Sequence, residues 1–199
     1  MEYRQAIEEY IRVEARPVDK YSHQARLYQL ATQIGAGLDY DDEIVHAAVW
    51  LHDLGVFIGH RPEEPELLSR WDNVAYAAER VPVLLSEWGF PSEKIAAVVD
   101  AIRTHLPSGE PSTIEATILR DADILEQLGA VTILRTVSKV GRDTRFHTFG
   151  DAINVLRRQV QTLPSQLRLE AAKTLAEPRI AALQAFLAAA EAEANGVAW

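Results

Sequence analysis

Three of the six histidines in this chain stand where helical spacing turns them inward. His23 shares a stripe with Leu27, Leu30 and Ile34, His52 continues Val45 and Ala48, and His105 continues Val98 and Ile102. Spacings of three and four place each imidazole on the face its neighbours bury. One buried histidine can stay neutral and bond a carbonyl; three at the ends of three apolar faces point to a common polar centre. Asp53 follows His52 directly. Successive helical side chains diverge by about 100°, yet at a helix end both can reach one ion, because ligand bonds are only about 2.0–2.2 Å long. A carboxylate buried there without a cation costs roughly several kcal/mol or takes up a proton. The grouping therefore calls for a metal ion. Downstream, RDADILEQLGA (120–130) adds two more acids. Asp123 aligns with Leu119 and Ala116, Asp121 with Ile118 and Ile114, so helical phase alone does not choose between them.

The elements that must position these groups are helices, since period-two alternation is almost absent. Residues 2–15 read as an opening helix closed by Pro17, and 19–36 as a second that stops at Gly35 and Gly37. The acids Asp39–Asp42 suit the start of the next helix, which ends at Gly55. GHRPEEP (59–65) is a loop, a helix over 66–88 bends at Pro82, and Ser92 caps the helix that leads to His105. After a second loop, LPSGEPS, a long helical region runs over about 112–140, followed by the irregular GRDTRFHTFG (141–150). Alanine-rich helices over 151–176 and 179–194 close the chain.

Composition narrows the function classes. With 199 residues, 48% hydrophobic and 25% charged, the chain has the mix of a globular domain, not of a disordered or fibrous one. The formal net charge of −9 argues against nucleic-acid polymers and anionic membranes as partners. An anionic small substrate then needs a local offset, which a metal ion supplies. The absence of cysteine excludes disulfides, thiolate metal sites and a cysteine nucleophile. No apolar stretch of about 18 residues exists and the start lacks a signal-peptide pattern, so a soluble cytoplasmic protein is expected.

Read in order, YSHQARLYQLATQIG, AAVWLHDLG, AIRTH and DADILEQLGA resemble the signature segments of HD-domain phosphohydrolases. They match an opening H-x-x-R helix, a helix-end HD with His23 29 residues before His52, and a D-A-D-R-L-x-x-L-G segment. GFPSEKIAAVVDAIRTH and the tail QTLPSQLRLEAAKTLAEPRIAALQAFLAAAEAE look like the penultimate core helix and closing helices of small stand-alone bacterial members. The resemblance covers about residues 20–193. It implies an all-α fold: a single helical HD domain over 1–199, with a metal-site core at about 19–140 and a C-terminal helical part at about 150–194. It also implies His23, His52, Asp53 and Asp123 as metal ligands, with Asp123 preferred to Asp121 as the acid just before the R-L position. The chain departs from the pattern twice. Ile124 stands where the arginine is usual, and SRWDNVAYAAE lacks the extra histidine of dinuclear relatives, His60 lying ahead of it in a Gly/Pro loop. One metal is therefore expected.

Two imidazoles and two carboxylates suit Mn, Fe, Co, Ni or Zn, and suit Mg less. The implied activity is hydrolysis of a phosphate ester or anhydride by a metal-bound water, with a nucleotide as the substrate class. Asp53 would hold that water as well as the metal, Arg26 would face the cleft one step from His23 and pair a phosphate oxygen, and His105 would donate a proton or support the ligands. Arg142, Arg145, His147 and Phe149 read as a surface excursion or a lid, His46 as an ordinary histidine, and Trp50, Trp71, Trp88 and Trp199 as packing. The rival readings are an idle HD module that senses a nucleotide and an iron oxygenase, which would need two metals. The alanine-rich final helices are compatible with a homodimer, though alanine is also simply a good helix former.

Overall fold

The helix leading into His52 is apolar all round, and a helix of that kind must be surrounded by others. In the computed structural model, which describes residues 2–143 and 145–197, every residue of Ile44–Leu51 is buried. This is α3 (Asp42–Leu51), against which α1 (Tyr3–Glu14), α2 (Asp19–Gly35) and α6 (Ile95–Thr104) pack. The described residues form ten α-helices and no β-strand, as the periodicity predicts. Asp41 caps α3 through the Glu43 amide at 3.0 Å. Lys94, at the head of α6, reaches both Asp41 and Glu43 at 2.6 Å, so the starts of α3 and α6 are tied together. Among the described residues, no helix is long and apolar enough to cross a membrane.

Several boundaries differ from the sequence expectation. The helix over 66–88 is two: α4 (Pro65–Ser69) and α5 (Asn73–Glu87), split where Asp72 accepts from the amides of Val74 and Ala75. Pro82 lies inside α5, within the helix as expected. The region 112–140 is α7 (Ile114–Glu126) and α8 (Ala130–Val137), separated at Gly129, whose φ of 90° glycine adopts without strain. α9 (Phe149–Thr162) begins inside the stretch expected to be irregular, through a reciprocal cap between Thr148 and Asp151. α10 (Glu170–Ala194) runs through Pro178, and the break falls earlier, at buried Leu163 and Leu167. A different proline, Pro164, opens the 3-10 turn that follows the α9 C-cap Leu163.

Contacts gather into two compact units, Met1–Ala122 and Asp123–Trp199, with the boundary inside α7. The first contains α1 to α6 around α3, with α5 packed on α6. In the second, α8, α9 and α10 pack on one another over Ile153, Leu156, Ala172, Ala176 and Leu183.

Candidate metal centre

The groups of the cluster owe their place to α2 and to the end of α3. His23 sits in the second turn of α2, buried. α3 stops at Leu51, His52 is its C-cap, and Asp53 opens a 3-10 turn over Leu54–Val56 with φ −91° and ψ 11°. That turn is seated against the start of α5: a Cβ on Gly55 would come within 2.4 Å of the Asn73 carbonyl oxygen. Only glycine lets the chain pass there, so the HDLG run fixes the aim of the aspartate as well as its identity.

The side chains converge. His23, His52 and Asp53 each offer one donor atom within 4.8 Å of the other two. His23 Nε2 lies 3.8 Å from Asp53 Oδ2, and His52 Nε2 3.7 Å from Asp53 Oδ1. Donor atoms sharing one ion at ligand bonds of about 2.0–2.2 Å sit roughly 3–3.5 Å apart, so the spread is close to what one ion requires. His52 Nδ1 bonds the Val49 carbonyl at 2.8 Å, which puts the ring proton on Nδ1 and leaves the Nε2 lone pair toward Asp53. The donor chemistry therefore fits a divalent transition metal.

Electrostatics favour the ionised carboxylate. Burial alone would push the Asp53 carboxyl up, but Lys20 and then His52, His23 and His105 reverse this and hold it well below the usual carboxylate range. The Lys20 ammonium is the first of these, its Nζ 3.4 Å from Asp53 Oδ2. Sequence reading missed Lys20. The available signal was its place three residues before His23, on the same face of α2.

The other candidates divide. His105 caps α6, is buried, and lies with its ring centroid 4.9 Å from that of His52. Its Nδ1 bonds the Ile102 carbonyl at 2.6 Å, which repeats the arrangement of His52. Arg26 is half-buried and donates to Ser22 Oγ at 3.1 Å. Asp121 is fully buried, 3.4 Å from the Arg120 guanidinium, which also donates to the Pro107 carbonyl. Asp123 is half-buried in α7, and its carboxylate accepts from the Gln127 amide at 3.1 Å. His60 has both ring nitrogens engaged, by the Tyr76 hydroxyl and by Glu14, each at 3.0 Å. His46 is buried against Glu8 at 2.9 Å. In the loop before α9, Arg145 pairs with Asp143, Arg142 bonds the Ser138 carbonyl, and the His147 amide donates to Asp151. Trp50 stacks near Tyr21, Trp71 donates to the Gly55 carbonyl, and Trp88 meets Tyr10; Trp199 lies outside the described residues.

The HD domain model of the protein families matches residues 21–128, more than half of the chain and all of its first-unit cluster. The chain belongs to the HD domain family. No curated protein matches it. Several solved structures share the HD fold over nearly the whole length. Bacillus subtilis YpgQ, solved in complex with ADP, is 22% identical at a TM-score of 0.73, covering 98% of this chain and 100% of that one. A structure from an uncultured Thermotogales bacterium, described as a predicted HD superfamily hydrolase, is 26% identical with a TM-score of 0.66, over 95% and 91% of the two chains. An HD-superfamily hydrolase from Bacillus thuringiensis is 20% identical with a TM-score of 0.71, over 98% and 95%.

Proposed function

We propose that this HD protein is a metal-dependent phosphohydrolase acting on a phosphate ester or anhydride of a nucleotide. The observation that carries the reading is the buried group of His23, His52 and Asp53, with the Nε2 of His52 turned toward an ionised carboxylate. These three residues would hold one divalent ion of the Mn, Fe, Co, Ni or Zn kind. The order of the DADIL segment makes Asp123 the fourth ligand of the proposal. When bound, the ion supplies an acidified water and Lewis-acid polarisation of a phosphoryl oxygen.

The chain's own groups do the rest. The Asp53 carboxylate has two oxygens, so it can ligate through one and accept a hydrogen bond from the attacking water through the other. His105 donates its Nδ1 proton to the Ile102 carbonyl, so it can protonate a leaving oxygen from Nε2 only as the imidazolium. Arg26 can pair a non-bridging phosphate oxygen if its guanidinium is shared with Ser22. The nucleotide class is supported by a fold relative, YpgQ, solved with ADP; no motif of this chain recognises a base.

The test is phosphate and pyrophosphate release by metal-stripped protein across nucleotides and phosphomonoesters, with Mn²⁺, Co²⁺, Ni²⁺, Mg²⁺ or no metal added. Release that depends on metal and falls on the order of a thousandfold in Asp53→Ala is expected. Full turnover and full metal content in Asp53→Ala would remove the central assignment. Silence across the panel with metal bound would favour instead a sensing module or a substrate outside the panel.

A further inference from the structure

We propose that Lys20 is the phosphate-binding cation of this site, an inference that rests on the phosphohydrolase reading and names the group that receives the substrate's charge. Lys20 lies in the first turn of α2, three residues before His23, so its side chain leaves the helix on the side of the metal cluster. Its ammonium stands 3.4 Å from Asp53 Oδ2, longer than the roughly 2.7–2.9 Å of a tight charge-assisted bond. The pair is close enough to be held together and loose enough to be shared. The Asp53 side chain is 15% exposed and that of Lys20 25% exposed, so the ammonium marks the border between the buried donors and solvent.

The charges show what the ammonium is for. With the ligand set of the proposed function, His23, His52, Asp53 and Asp123, a divalent ion would be held by two carboxylates and two neutral imidazoles, a set with no net charge. A phosphoryl group carrying one or two negative charges therefore gains little from it at a distance, and the chain as a whole, at −9, repels it. Some cation beside the ligands must offset that repulsion. Lys20 is already in contact with the ligand carboxylate, and once the ion neutralises Asp53, its ammonium can turn to an incoming oxygen. A lysine suits this as a compact point charge on a flexible stem, with three donors that need no fixed fork geometry. In sequence, Lys20 precedes the first histidine and belongs to none of the HD motif segments that point to the ligands.

The experiment uses the full chain loaded with Mn²⁺, metal content verified, and measures binding of inorganic phosphate by calorimetry for the wild type, Lys20→Met and Lys20→Arg. Titration of Mn²⁺ into the metal-free proteins is run alongside. Lys20→Met is expected to weaken phosphate binding about tenfold at saturating metal, the loss of one charged hydrogen bond, with Lys20→Arg recovering most of it. A weakening in Lys20→Met below about threefold, with or without tighter Mn²⁺ binding, overturns the proposal and leaves Lys20 only the counter-ion of metal-free Asp53. Should Lys20→Met not fold, Lys20→Gln carries the same comparison. Wild-type holoprotein that neither binds phosphate nor hydrolyses any of the panel overturns the functional reading as well. Wild type that binds and turns over, beside an equally competent Lys20→Met, overturns this inference alone.

Discussion

His46 and His52 stand six residues apart on or at the end of the same helix, both are buried, and each has a carboxylate nearby, yet their surroundings make them different chemical objects. At His52 the Nδ1 proton goes to the Val49 carbonyl, and Nε2 faces a carboxylate placed between two imidazoles and an ammonium. At His46 it is Nε2 that meets a carboxylate, Glu8 of α1, in a one-to-one pair. Its ring packs between Tyr28 and Trp50, and its Nδ1 has no partner among the described residues. Burial and an imidazole do not make a candidate ligand. What matters is which nitrogen the backbone takes and how many donors share the one that remains.

The difference can be broken or sharpened by experiment. The largest effect is expected on metal affinity: His52→Ala should weaken Mn²⁺ binding on the order of a hundredfold or more, since even outer partners of such ligands are worth 10–100-fold. His46→Ala should leave Mn²⁺ affinity within about threefold and lower stability by about 2 kcal/mol in urea unfolding, through a lost hydrogen bond and a lost packed ring. Equal loss of metal in both variants would erase the distinction. Next in size is the linkage of metal to folding. Mn²⁺ at a hundred times the wild-type Kd should add about 2.7 kcal/mol to wild type, nearly as much to His46→Ala, and no more than about 0.4 kcal/mol to His52→Ala, with chelator reversing the gain.

The smallest effect is a pH dependence carried by His46. Burial holds its pKa below the ordinary 6.5, although Glu8 pulls the other way; Arg4 and Asp42 also face it, lowering and raising it respectively. The unfolded chain then binds a proton near pH 6.5 that the folded protein resists. Stability carried by this group is complete above that value and falls as pH drops toward the lower folded pKa. Urea melts of wild type and His46→Ala at about pH 7.5 and about pH 5 should show the gap between them narrowing at the lower pH. A gap that widens would mean the Glu8 pair dominates over burial.

Much of the helical layout was legible in the sequence, and the errors share a cause. The local rules for Gly and Pro place the end of α2 correctly and keep Pro82 inside a helix, but they predict a break at Pro178, which α10 runs through. There the packing of Ala172, Ala176 and Leu183 outweighs the loss of one backbone donor. The break between α4 and α5 comes from a side-chain cap at Asp72, and the early start of α9 from one at Thr148. Both caps were readable signals that apolar periodicity overshadowed.

The sequence by itself determined the residue types of the centre and their order, because helical spacing and the HD motifs both act over a few neighbouring residues. It also determined that His23, His52 and His105 would be buried, since each continues an apolar stripe. Only the tertiary structure decided that His23, from α2, meets the pair at the end of α3, that Gly55 must be a glycine to pass Asn73, and that Lys20 belongs beside Asp53. These are distances between groups far apart in the chain. They depend on how α2 packs on α3 and how α5 packs on the 3-10 turn after Asp53, and no local spacing encodes that.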